Sequence, residues 1–231
     1  MLGKINDAVR QFGVFAGVIY LADRALSTLS PRCRLYFYEL MVQPIRVDAL
    51  PANRFLSGIE IREIPPGDPE RARMPVRPEV MQARIAQAAT CLGAYKKGEL
   101  IGYMWFCADR YDEDEVRCTY VLERSRESVF DFDFYLYPEH RMGLGFVALW
   151  QGANRFLSER GIRFTFSRLT RFNIASRRSH AHLGWKLVGR TWFLQLGRIE
   201  IMVSTLRPYF HVSISPSRRV SLALRPDVLE T

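Results

Sequence analysis

The segment Ser128-Val-Phe-Asp-Phe-Asp-Phe-Tyr-Leu-Tyr-Pro-Glu-His-Arg-Met-Gly-Leu-Gly145 constrains the fold more than any other part of the chain. Phe130, Phe132 and Phe134 alternate with Asp131 and Asp133, the period of two expected of a strand with one apolar face. Pro138 removes a backbone donor and fixes its own φ, so the strand should stop there. Gly143 and Gly145 allow close backbone approach, and from Gly145 the apolar residues Phe146, Leu149, Trp150, Ala153 and Leu157 follow helical spacing. A helix that opens in this way presents unsatisfied N–H groups and a partial positive charge, which suits an anion such as a pyrophosphate. His140 and Arg141 add charge beside it. The competing reading of a short Gly-x-Gly is an ordinary tight turn.

The flanking sequence supplies the other elements. Phe12-Gly-Val-Phe-Ala-Gly-Val-Ile-Tyr-Leu-Ala22 is an apolar run shorter than the roughly 20 residues that span a bilayer as a helix. Lys4 and Arg10 precede it as in a signal peptide, but Asp7 is out of place and no small-x-small cleavage site follows. The spacing of Ile5, Val9, Ile19, Leu26 and Leu29 predicts a helix that docks on the protein or lies in a membrane interface. Pro31 ends it, and the aromatic-rich Leu35–Val42 reads as a strand. Gly58–Ile64 alternates as a strand, Pro78 to Ala89 reads as a helix, and Thr90–Lys96 with Leu100–Ala108 make a hairpin around Lys97-Gly98-Glu99. Asp109–Glu115 reads as a loop. Val116–Leu122, Arg163–Thr170, Lys186–Leu196 and Arg198–Ser204 complete the strands. The tail from Leu206 shows little periodicity and is read as disordered or as an added surface strand.

Charge and cysteine usage narrow the chemistry. The 231 residues are 48% hydrophobic, enough for a full core, and carry a formal net charge of +9. That charge is spread and Arg-rich, with Lys4, Lys96, Lys97 and Lys186 the only lysines, so nucleic acid is not an expected partner. Cys33, Cys91, Cys107 and Cys118 lack metal-ligand spacing; no metal is expected, and reduced thiols fit a cytoplasmic protein. Cys91 and Cys107 lie in apolar runs as small core residues.

The residues Pro138-Glu-His-Arg141 with Gly143 and Gly145, followed by a strand, Asn173, His180 seven residues later, and Gly184-Trp185, resemble the GNAT superfamily of acyl-CoA-dependent N-acyltransferases. In that family the strand before the turn carries the thioester, and a Tyr at the place of His180 often protonates the departing thiolate. The resemblance covers about Gly58 to Thr205. It implies an α/β (α+β) fold in which a mixed central sheet with splayed central strands is flanked by helices, here with an N-terminal helical extension. The expected organisation is an extension over 1–57, an acyltransferase domain over 58–205 and a basic tail over 206–231. Two departures are visible: Arg141-Met142-Gly143-Leu144-Gly145 is one residue shorter than the usual Arg-Gly-x-Gly-x-Gly turn, and the Tyr is His180.

The resemblance implies that Leu136 and Tyr137 bind the pantetheine and thioester oxygen through backbone N–H groups, that His140, Arg141, Met142, Gly143, Leu144 and Gly145 hold the pyrophosphate, and that Asn173 orients the pantetheine arm or caps its helix. Acyl transfer to an amine needs a base, a polarised carbonyl and a proton for sulfur. Asp131 and Asp133, on one strand face, are the candidate bases, with a solvated face or arginine pairing as the alternative. Glu113 and Glu115 are weaker candidates. His180, whose unperturbed pKa is about 6.5, is the candidate acid. Acetyl-CoA or another acyl-CoA is the expected donor and a small-molecule or peptide amine the acceptor. Two further readings are long-chain acyl transfer from acyl carrier protein at an anionic membrane surface, and a catalytically silent GNAT-like sensing or interaction module.

Overall fold

The computed structural model describes residues 14–47, 58–141, 144–170, 172–181 and 183–230. Its elements are helix α1 (Val14–Leu29), strands β1 (Cys33–Pro44) and β2 (Ile59–Glu63), helices α2 (Pro69–Arg73) and α3 (Pro78–Ala86), and strands β3 (Thr90–Lys96), β4 (Glu99–Ala108), β5 (Arg110–Asp112), β6 (Cys118–Leu122) and β7 (Ser128–Leu136). They continue with helix α4 (Gly145–Ser158), strand β8 (Phe164–Thr170), helix α5 (Ile174–Ala181), and strands β9 (Lys186–Leu196), β10 (Ile199–Ser204), β11 (Phe210–Ser213) and β12 (Val220–Leu224). This is a mixed α/β fold. Two compact units divide it: residues 43–111 with 122–167, called here the β7 unit, and residues 1–42, 112–121 and 168–231, the β9 unit.

In the β7 unit the strand order is β8-β7-β4-β3-β2, antiparallel except for the parallel pair of β7 and β8. The β4 segment Ile101–Cys107 is buried throughout, which explains its continuous apolar run in place of alternation. Helix α4 packs on β2, β3 and β4 through Ala148, Leu149, Ala153 and Leu157. Helix α3 starts at Pro78 as expected but stops at Ala86, because Ala88 adopts a left-handed backbone (φ 53°) and the chain turns into β3. Cys91 and Cys107 are buried core residues, and burial pushes the Cys91 thiol up to about 12.

One irregularity sets the geometry of the site. Tyr103 faces Tyr135 across the sheet, whereas Trp105, two residues on, faces Phe132, three residues back. The extra residue on β7 is a bulge at Asp133, where φ is 48°. The side-chain sequence therefore changes face. Phe130 and Phe132 both stack on Tyr111, and Phe132 also stacks on Trp105, but Phe134 packs on Phe146 and Trp150 of α4. The expected single face of Phe130, Phe132 and Phe134 is thus corrected: the bulge turns Phe134 over.

In the β9 unit β11-β10-β9-β1 form an antiparallel array, and β12 lies beside β6. The tail from Leu206 thus contributes two strands. The Asp23 carboxylate of α1 accepts the Arg34 Nε–H and the Leu35 backbone N–H, each at 2.9 Å, which anchors the helix to the start of β1. Among the described residues no helix is long and apolar enough to cross a membrane.

Candidate active site

Strand β7 pairs with β8 only through Ser128–Phe130 against Phe164–Phe166, and six further residues of β7 extend past that register. Along this extension the β4 pairing decides which amides are committed. Tyr137 donates its N–H to the Ile101 carbonyl at 3.1 Å, making Tyr137–Ile101 a hydrogen-bonded pair. Leu136, opposite Gly102, is then a non-hydrogen-bonded position whose N–H and C=O project away from β4. Of the two amides assigned to the thioester, the Leu136 N–H is the one turned outward; that of Tyr137 is taken up in the sheet. The Leu136 carbonyl accepts the Arg141 Nε–H at 3.0 Å, so Arg141 ties the turn back to the strand.

Close packing fixes this corner. A Cβ on Gly102 would lie 2.5 Å from Leu136 Cδ2 and 2.6 Å from the Tyr135 carbonyl oxygen, so only glycine lets β7 approach β4 here. Pro138–His140 makes one tight helical turn, closed by the His140 N–H on the Tyr137 carbonyl at 2.8 Å. Helix α4 begins at Gly145 after Leu144, which offers no side-chain cap, and its first turn holds no acid. The positive end of its dipole at this first turn favours an anion. Beside it opens a cleft of about 540 Å³ lined by Gly58, Ile59, Lys96, Ile101, Glu139, His140, Leu144 and Gly145. Met142 and Gly143, two of the residues assigned to the pyrophosphate, lie outside the described residues.

The two aspartates have different surroundings. Asp131 is buried, and the Thr165 hydroxyl of β8 donates to its Oδ2 at 2.5 Å. Burial raises its pKa to about 7, against a smaller lowering by the Thr165 hydrogen bond. Asp133 pairs instead with Arg84 of α3 at 2.5 Å, and the Arg84 guanidinium lies over the Trp105 and Phe132 rings. The bulge separates the two carboxylates, so they do not share a face. Asp133 is held as the partner of a nearly buried cation.

Asn173 and His180 belong to the β9 unit. Asn173 caps α5: its Oδ1 accepts the Ser176 N–H at 3.0 Å. His180 is buried near the end of α5, and burial lowers its pKa to about 4, leaving the imidazole neutral at pH 7. Gly184, with φ 75°, lies past the helix end, so it does not continue the α5 face as the spacing suggested. Glu113 is fully buried and receives Arg168 through two bonds of 2.7 and 2.6 Å; Arg168 also reaches Glu115 at 2.7 Å and lies over the Tyr38 ring. These glutamates serve an internal ion-pair cluster. Arg84 and Arg168 were not singled out from the sequence, since their partners lie 49 and 55 residues away and arginines are abundant.

No family model matches the chain, and no curated protein matches it. Among solved structures it is similar to a conserved protein of unknown function from Staphylococcus epidermidis ATCC 12228, at 12% identity over 78% of this chain and 65% of that one, with a TM-score of 0.49. A tandem GNAT protein from the clavulanic acid biosynthesis pathway gives 17%, 74%, 54% and 0.47. A GCN5-related N-acetyltransferase from Sphaerobacter thermophilus gives 17%, 73%, 53% and 0.45. The chain spans less than two thirds of the length of each, and at such identities the likeness concerns the fold alone. Within the chain itself, the strands and helices from β2 to β10 follow the order the GNAT resemblance implies, with β6 on the expected strand Val116–Leu122, while the short helix α2 and strand β5 are additions, β5 lying where Asp109–Glu115 reads as a loop.

Proposed function

We propose that the protein is an N-acyltransferase that moves an acyl group from an acyl-CoA to an amine by direct attack in a ternary complex. The observation that carries this reading is that the outward Leu136 amide, the Arg141-braced turn and the N-terminus of α4, whose first turn holds no acid, belong to the same strand–turn–helix junction. A thioester carbonyl on the Leu136 N–H would be polarised there, and a pyrophosphate would meet the first N–H groups of α4 with Arg141 and His140 adding charge. Lys96, in the adjoining cleft, is a further cation for the same anion.

In the reaction the amine nitrogen bonds to the carbonyl carbon, the C–S bond breaks, the nitrogen loses a proton to Asp131, which passes it to solvent, and the thiolate takes a proton from solvent. Asp131 is the assigned base, because a carboxylate held near neutrality takes up a proton more readily than an ordinary one. Asp133 positions β7 through Arg84. His180, in the β9 unit, is neutral at pH 7 and has no imidazolium proton to give. Asn173 caps α5 through its Oδ1.

The test is release of CoA from acetyl-CoA and longer acyl-CoAs in the presence of a panel of amines. Amine-dependent release is expected, with Asp131→Asn lowering kcat while the KM for the donor stays within about twofold. Release with acyl carrier protein alone would replace the donor assignment. Binding of acyl-CoA without turnover of any amine would favour a sensing module.

A further inference from the structure

The polarity of strands β10 and β11 is the reverse of what a half-buried sheet normally shows. Their buried side carries Glu200, Ser204 and Ser213 beside the apolar Met202, whereas Ile199, Val203, Phe210 and Val212 face solvent at 43%, 46%, 62% and 40% exposure. Two of the polar groups turned inward have defined partners: Glu200 accepts the Arg117 backbone N–H and the Gln195 side-chain amide at 2.8 Å each, and the Ser213 hydroxyl donates to the Ser215 or Arg218 carbonyl, whereas the buried His211 Nε2 meets no hydrogen-bond partner among the described residues. Cross-strand pairing makes the outer residues continuous, with Val203 opposite Phe210 and Ile199 opposite Leu196, and Ile214 extends the row at 69% exposure. A contiguous apolar face of this kind on a soluble unit marks a docking surface.

The charges around the face identify what docks. Arg198 at the β9–β10 turn and Arg207 ahead of β11 are exposed at its two ends, Arg32 joins Arg198 through the Gly197 N–H on the Arg32 carbonyl, and the one acid of β10 is on the buried side. The outward residues of β10 and β11 include no acid that a second copy could set against these arginines. Phosphate headgroups would meet both ends, and acyl chains would receive Phe210 and Ile214 between them.

We propose that the outer face of β10 and β11 docks the protein on an anionic phospholipid surface, independently of the acyl-transfer reading. The experiment is flotation of the full chain with vesicles of phosphatidylcholine alone or with phosphatidylglycerol, alongside sedimentation equilibrium without lipid. Binding to the phosphatidylglycerol vesicles only, weakened by salt, is expected. Phe210→Ser with Ile214→Ser should reduce partitioning by about tenfold or more. Arg198→Glu with Arg207→Glu should abolish it, while far-UV circular dichroism stays unchanged in both. Absence of flotation, flotation unaffected by either pair, or a dimer in solution that Phe210→Ser dissociates would overturn the proposal, the last in favour of a second copy of this chain.

Discussion

Strand β7 and the β10–β11 pair are built from similar alternating sequences and end in opposite situations. Along β7 the aromatic positions are covered on both sides, with Phe130 and Phe132 on Tyr111 and Phe134 on α4, and a carboxyl group is forced inward beside Thr165. Along β10 and β11 Glu200 and Ser213 go inward to defined partners beside Met202, and Ile199, Val203, Phe210 and Val212 stay outside. Burial in the first region creates a perturbed titrating group. In the second it leaves apolar surface in water, uncovered by the described strands. The difference separates a region suited to chemistry from one suited to docking.

The largest effect expected from this contrast is at the β7 core. Phe130→Ala removes a fully buried ring stacked on Tyr111 and should cost about 3–5 kcal/mol in urea unfolding. A smaller loss would mean that β7 is less tightly covered than its contacts indicate.

Asp131 gives the next largest effect, in the opposite direction. Its folded pKa of about 7 is above the unfolded carboxyl value, so the folded state binds more protons and stability falls as pH rises from about 4 to 7. Asp131→Asn should therefore stabilise the protein by about 2–4 kcal/mol at pH 8 and by almost nothing near pH 4. A pH-independent difference would remove the buried-carboxyl account. His180 works the other way. Its folded pKa of about 4 lies below the unfolded value, so stability is lost as pH falls from about 6.5 to 4, by about 2–3 kcal/mol in all. His180→Gln should flatten that acid limb in thermal melts recorded across the window; an unchanged limb would contradict a buried neutral imidazole.

The smallest effect belongs to the docking face. Phe210→Ala, at a ring already 62% exposed, should shift stability by no more than about 0.5 kcal/mol. A loss approaching that of Phe130→Ala would show that the outer face is packed in solution and would erase the contrast.

Much of this was legible in the chain. The strand–turn–helix junction, the hairpin of β3 and β4, the start of α3 at Pro78 and the capping role of Asn173 follow from local rules of proline, glycine and periodicity. The bulge at Asp133 was not, because Phe-Asp-Phe-Asp-Phe alternates without a break and the extra residue exists only relative to β4. Alternation in Ile199–Ser204 shows which residues share a face but not which face is inward. That choice depends on Arg117, 83 residues from Glu200. The pKa values of Asp131 and His180 likewise come from tertiary burial. Thr165, which fixes the Asp131 carboxylate, is 34 residues away in sequence.

The most direct test of the site is isothermal titration calorimetry of the full chain with acetyl-CoA and with acetyl-pantetheine, which carries the thioester but no pyrophosphate. If the Leu136 amide and the N-terminus of α4 act together, both should bind, and acetyl-CoA should bind at least about tenfold more tightly, with the advantage reduced by Arg141→Ala. Equal affinities, or no binding of either, would contradict the assignment of this junction to an acyl-CoA.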